Sequence, residues 1–351
     1  MNLDALRGCL RAAGARPPHE RHLLRLWLAG HRLDAPMRGD PDFLPRRLRE
    51  SLPTLEAALH GLAAAGSRHP APDGAERLLV ALADGQAVEA VLLPRDGVCV
   101  STQVGCAVGC LFCMTGRSGL LRQLTSGEIL AQVVLARRQR AVRKVVFMGM
   151  GEPAHNLDAV MEAIGLLGTE GGIGHKNLVF STVGDHRVFE RLPQGPVRPA
   201  LALSLHTTRA ELRARLLPRA PRIDPVELVR LSDAYSRATG YPVQYQWTLL
   251  EGVNDTDADI DAIARLLASQ YAVMNLIPYN PVDGPAFRRP PRERAMTMVR
   301  ELRARGVLAT LRWSAGQAVE GGCGQLRART VRLVPQGLPV TQPPGPPQAA
   351  A

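Results

Sequence analysis

The chain has 351 residues, 46% of them apolar, enough for one large domain with appendages or for two of ordinary size. Lys and Arg outnumber Asp and Glu by 43 to 32, and the resulting +11 favours a polyanionic partner, nucleic acid first, although an arginine-rich composition alone also raises the count. No run of eighteen apolar residues marks a membrane span, no basic and apolar leader opens the sequence, and six cysteines are too sparse for a disulfide scaffold, so a reducing cytoplasm is the expected compartment.

Residues 1–60 read as helical. Leu3, Leu6 and Leu10 recur at helical spacing, as do Leu23, Leu24, Trp27 and Leu28, then Leu44, Leu48 and Leu52. Arg16, His19, Arg21, His22, Arg25, His31 and Arg32 lie between them, as a solvated face or an RNA-docking one. Cys9 reads as a small buried apolar residue of the first helix. Residues 66–75 read as a turn-rich linker. Alternating segments 77–83 and 86–93 flank Asp84-Gly85, a strong hairpin signal, and put Glu89 on the face opposite Val88, Ala90 and Leu92. Glu89 there is either solvated or aimed at a site.

From Val98 strands and helices alternate, the signature of parallel α/β architecture. The expected strands are 98–102, 144–148, 178–182, 200–205, 243–250, 273–278 and 308–313. Expected helices fill 126–140, 157–168, 225–238, 257–269 and 292–305. Six or so such units are too few for a closed eight-stranded barrel, so a partial (β/α)6-type barrel is expected. It follows a small N-terminal helical accessory domain (1–70), occupies 76–334 with its preceding hairpin, and ends in a Pro-rich disordered tail over 335–351.

The densest chemistry lies in 99–113, where Cys106, Cys110 and Cys113 stand in C-x3-C-x2-C spacing. Three thiolates on one loop can ligate three irons of a 4Fe-4S cluster and leave the fourth iron open. That open iron is where radical S-adenosylmethionine (SAM) enzymes chelate SAM. A zinc site or three core cysteines are the alternatives, but zinc wants a fourth ligand at familiar spacing and the loop holds no histidine. Further polar residues recur at strand ends, where parallel barrels gather their chemistry: Gly151 and Glu152, Ser181, Ser204 to His206, and Asn280. Cys323 lies among Gly321, Gly322 and Gly324, a setting that suits a working thiol or a free surface one.

Taken together, Val88-Glu89-Ala90-Val91, Cys99-Val-Ser-Thr-Gln-Val-Gly-Cys106, Cys110-Leu-Phe-Cys113, Phe147-Met-Gly-Met-Gly-Glu-Pro153, Ser181-Thr182, Leu203-Ser-Leu-His206, Asn275-Leu-Ile-Pro-Tyr-Asn-Pro281 and Cys323-Gly-Gln-Leu326 resemble the RlmN/Cfr family of radical SAM RNA methyltransferases over about residues 77–330. The resemblance implies that Cys106, Cys110 and Cys113 hold the cluster and that Gly151, Glu152, Ser181, Ser204, Leu205, His206 and Asn280 line the SAM pocket. It implies Cys323 as the methyl-carrying cysteine, Cys99 as its resolving partner through a disulfide, and Glu89 as the proton acceptor. It further implies two SAM molecules per turnover, an adenine of ribosomal or transfer RNA as substrate (C2 favoured over C8), an electron donor and a thiol reductant. The competing readings are a radical SAM enzyme acting on a protein or small molecule, and a non-catalytic RNA-binding paralogue. Neither needs the pair Cys99 and Cys323.

Overall fold

The computed structural model describes residues 3–35, 42–117, 119–282, 284, 286–327 and the backbone of 329 and 330. The expected disordered tail, 335–351, lies outside the described residues. Three amphipathic helices come first: α1 (Leu3–Ala12), α2 (Pro17–Leu28) and α3 (Arg46–His60). Each buries the apolar stripe its spacing predicts, namely Leu3, Leu6 and Leu10, then Leu23, Leu24, Trp27 and Leu28, then Leu48, Leu52, Leu55 and Leu59. Cys9 is exposed, which corrects its expected burial. It is one residue, or about 100°, round the helix from Leu10 and so falls off the buried stripe.

Four strands then run antiparallel to one another: β1 (Ala63–Pro70), β2 (Glu76–Leu82), β3 (Gln86–Leu93) and β4 (Gly97–Cys99). β1 corrects the turn-rich linker expected over 66–75, of which only 71–75 turns. Ala63, Ala64 and Ala65 pair with β2 before a register shift between Ala65 and Arg68. Gly66 sits in that bulge, where an added Cβ would stand 3.2 Å from the Leu79 carbonyl oxygen.

After β4 the chain forms a separate two-stranded hairpin, β5 (Gln103–Gly105) with β6 (Leu120–Gln123), around the cysteine loop. The parallel part follows as α4 (Ser126–Arg137), β7 (Lys144–Phe147), α5 (Leu157–Thr169), β8 (Leu178–Thr182), α6 (His186–Arg191), β9 (Ala200–Ser204), α7 (Ala210–Leu216), α8 (Pro225–Thr239), β10 (Val243–Leu249), α9 (Asp257–Leu266), β11 (Ala272–Pro278), α10 (Arg292–Ala304) and β12 (Ala309–Leu311). The main sheet runs β1-β2-β3-β4-β7-β8-β9-β10-β11-β12, parallel from β4 onward, as an open partial barrel. The expected α/β class and five longer helices are present. The short α6 and α7 and the β5–β6 hairpin went unread, because elements of three to seven residues carry too little periodicity. No helix among the described residues is long and apolar enough to cross a membrane.

α4 is buried on almost every face because it lies between the barrel and the N-terminal helices, packing on α5, α2 and α3. A capping box starts it: Glu128 N–H donates to Thr125 Oγ1 (3.2 Å) while Thr125 N–H donates to the Glu128 carboxylate (2.8 Å). Its Gln132, fully buried, then bonds the backbone of Ser101 twice at 2.9 Å, accepting from the N–H and donating to the carbonyl. The side chain thus stands in for a neighbouring strand where β4 leaves the sheet. Gln132→Leu keeps the volume but strands two buried backbone groups, and is expected to destabilise the protein by about 2–4 kcal/mol in urea unfolding. A variant within about 0.5 kcal/mol of the parent would show that Ser101 finds other partners.

Candidate active site

The cysteine loop, the ends of the parallel strands and the segment around Cys323 enclose a cavity of about 1370 Å³, partly open to solvent. Its wall carries Cys99, Cys106, Cys110, Cys113, Gly151, Glu152, Ser181, Ser204, His206, Asn280 and Cys323, so eleven of the thirteen sequence-derived candidates face one space. Two do not. Leu205 is fully buried in the apolar core, with its N–H donated to the Gln246 carbonyl at 3.1 Å. Glu89 shares the strand face of Val91 and Leu93, which do line the cavity, but lies beyond them with no exposure. Arg77 pairs with its carboxylate, and the Arg327 N–H donates to Oε2 at 2.9 Å, closing it off.

Hydrogen bonds stitch the two cysteine segments together. Met114 N–H donates to the Gly324 carbonyl (2.7 Å) and Thr115 Oγ1 to the Leu326 carbonyl (2.7 Å). Asn280 Nδ2 donates to the Cys323 carbonyl (2.9 Å) and to Ser314 Oγ (3.0 Å), while its Oδ1 accepts from Arg289 (3.2 Å). From the other side the end of α7 and the residues just after it grip the cysteine loop: Leu111 N–H donates to the Leu216 carbonyl (3.0 Å) and Arg219 N–H to the Val108 carbonyl (3.2 Å).

The Gly149-Met150-Gly151 turn owes its glycines to the same loop rather than to open space for a ligand. An added Cβ at Gly149 would stand 2.7 Å from the Val100 carbonyl oxygen, and one at Gly151 (φ +105) 2.7 Å from the Gln103 side chain. Close packing next to the loop is the requirement. It also directs Glu152, whose N–H donates to Gln103 Oε1 (2.7 Å), into a pocket where its oxygens accept from Ala154 N–H (3.1 Å) and Val183 N–H (3.0 Å). Burial pushes this carboxyl up against those bonds, which favour the charged form.

Burial dominates the other titrating groups too. The His206 ring is held down to about 3 by burial and then by Arg213, so it is neutral at physiological pH. Its Nδ1 accepts from Thr248 N–H (3.0 Å), leaving the proton on Nε2, and the ring meets Phe112 edge-on at 4.8 Å. Arg213, which the sequence reading missed, is 3% exposed, donates to the Ser204 carbonyl (3.1 Å) and to the Val183 carbonyl, and is drawn toward Cys110 and Glu152. It follows Ser204-Leu205-His206 on a short helix, and nothing in its sequence setting separates it from the surface arginines.

Cys106 is pushed up to about 12, chiefly by burial, and Cys110 rises for the same reason. Cys99 rises to about 12 through burial and then Cys323, and Cys323 to about 11 through burial and then Cys113, with Arg312 opposing both. Cys323 is nonetheless exposed by surface area, because the space beside it is the cavity itself. All six cysteines are free thiols, so the Cys99–Cys323 disulfide implied by resemblance is absent from this state.

Among the described residues no three His, Cys, Asp or Glu side chains form a ready site for a metal ion. Thiolates serving different irons of a cluster have to surround a volume rather than converge on a point. The loop's three soft thiol donors, which line one cavity and give up their protons to a bound cation, fit that demand. The rest of the wall is largely apolar with a few convergent polar groups, which suits an organic cofactor such as SAM.

The Radical SAM superfamily model matches residues 100–267. A probable RNA methyltransferase of Methylibium petroleiphilum is 70% identical, covering 94% of each chain, and one of Pseudomonas aeruginosa is 65% identical over 91% of this chain and 93% of its own. The chain belongs to the radical SAM RNA methyltransferase family. A solved radical SAM methyltransferase from Sphaerobacter thermophilus shares 36% identity and superposes with a TM-score of 0.80, covering 93% of this chain and 98% of its own.

The depressed His206 carries a pH signature. Between 6.5, the ordinary value, and about 3, the unfolded chain binds a proton here that the folded chain does not. Its stabilisation is therefore complete above 6.5 and lost as the pH falls toward 3. The parent is expected to lose on the order of 1 kcal/mol per pH unit more than His206→Gln in denaturant melts across that window. Parallel pH profiles would mean that His206 titrates alike in both states.

Proposed function

We propose that this family member is an RNA methyltransferase that places a methyl group on an adenine carbon, C2 in preference to C8, of ribosomal or transfer RNA. The observation that carries the reading is one cavity bordered at once by the three loop thiols, by Cys323 and by Cys99. The names of the relatives and the net charge of +11 support RNA as the substrate. An sp2 amidine carbon is too weak a nucleophile to take a methyl group directly from SAM, which gives a second, protein-borne sulfur a purpose.

Cys106, Cys110 and Cys113 would hold the 4Fe-4S cluster, with Gly151, Glu152, Ser181, Ser204, His206 and Asn280 around SAM; bound there, the cluster and two SAM molecules supply a methyl group and the power to abstract a hydrogen atom. The sulfur of Cys323 carries the methyl group to the base and is left joined to it as a thioether. Cys99 then attacks that sulfur as a thiolate, the C–S bond breaks with its electron pair passing to the carbon, which takes up a proton to become the methyl group, and a transient disulfide forms that a cellular thiol reductant reopens. Glu89 accepts the proton lost from the base carbon once the Arg327 segment shifts off its carboxylate. An electron donor completes the partners.

Anaerobic reconstitution should load about four irons, and Cys106→Ala, Cys110→Ala or Cys113→Ala should lose them. Cys99→Ala should keep the cluster, react once with RNA and stall as a covalent adduct that survives denaturant and disappears with ribonuclease. Mass spectrometry of nucleosides from a deletion strain names the methylated base. Normal turnover by Cys99→Ala without an adduct would remove the two-cysteine mechanism.

A further inference from the structure

We propose that Trp313 is a stacking platform for an unpaired nucleobase adjoining the one that enters the cavity. The inference rests on the RNA reading above and adds a contact that selects single-stranded substrate.

Tryptophan is a residue that folding normally hides, and this chain has three. Trp27 is 2% exposed and Trp247 is fully buried, whereas Trp313 is 43% exposed. Its neighbours Arg312 and Ser314 both line the cavity, while Trp313 is absent from that wall. Just past the end of β12, the exposed indole thus turns away from the cavity between two residues that face it. The ring therefore lies at the border of the site rather than on a remote surface.

Beneath it, the Arg289 guanidinium carbon stands 5.5 Å from the ring centroid. That arginine is itself fixed, donating to the Tyr279 carbonyl (2.7 Å), Gln317 Oε1 (2.9 Å) and Asn280 Oδ1 (3.2 Å). Asn280 in turn holds the Cys323 carbonyl, so three contacts link the indole to the segment that bears the carrier thiol. A cation on one face holds the ring in place and leaves indole surface for a base.

The chemistry asks for such a surface. An enzyme that modifies a base carbon takes the base out of its stack, and the neighbouring base loses its partner. Aromatic side chains replace that partner in single-stranded RNA recognition, tolerant of sequence because every base has a π face. Surface packing on Arg289 alone would account for the pair only as a weak exposed cation–π contact.

The experiment uses the full chain with its cluster loaded and a ten-nucleotide oligoadenylate as probe, at one fixed salt concentration. Trp313 is the one strongly exposed tryptophan, so the probe should quench the emission of the parent and not of Trp313→Ala. Affinity should fall roughly tenfold in Trp313→Ala and stay within about threefold in Trp313→Phe, while an abasic version of the probe should bind all three proteins alike. Iron content and circular dichroism confirm that the variants are folded. If the parent binds RNA and Trp313→Ala binds it equally well, the platform is overturned and the RNA reading stands. If the parent binds no RNA at all, the RNA reading falls and this inference falls with it.

Discussion

Apart from β5 and a single 3-10 turn at Met114–Gly116, residues 100–116 are irregular backbone, and each N–H and C=O buried there has to find a partner without a sheet ladder to supply it. Much of the surrounding structure answers that demand. Gln132 serves Ser101, and Asn156 donates to the Thr102 (2.8 Å) and Leu124 (2.7 Å) carbonyls. Met150 exchanges bonds with Ser101, Thr102 and Gln103 from the neighbouring strand end. α7 and the Cys323 segment hold the far side of the loop. These anchors come from four separated stretches of chain, so the three thiols are positioned by the whole barrel rather than by their own loop.

The same enclosure sets the electrostatics. Burial keeps His206 neutral, pushes Cys106 and Cys110 up and lifts Glu152. Arg213 is the counterweight: burial lowers it to about 10, yet it stays protonated near Cys110 and Glu152. A buried cation near Cys110 complements the charge that thiol would acquire on binding iron. Glu89 and Arg77 repeat the arrangement at the hairpin, where the pair also fastens the segment around Arg327.

Much of this was legible in residue order. The helices of 1–60 followed from leucines every three or four positions, and β2 and β3 from alternation around Asp84-Gly85. The C-x3-C-x2-C loop, its place after the first parallel strand and the polar residues ending later strands pointed to one site, because strands running the same way deliver their ends to the same edge. Spacing failed where local composition competed with tertiary pairing. Gly66, Ser67 and Pro70 look like a linker, yet β2 offers them a partner.

The sequence by itself determined the α/β class, the cysteine trio and the strand ends that surround it, since periodicity and ligand spacing are local properties of the chain. Only the tertiary structure decided that Cys99 and Cys323, more than two hundred residues apart, share one cavity with that trio. It alone put Glu89 behind Arg77, Leu205 in the core, Gln132 and Arg213 under the loop and Trp313 at the rim. Contacts between distant segments depend on how the sheet curls and what each helix covers. No short window of sequence records that curvature.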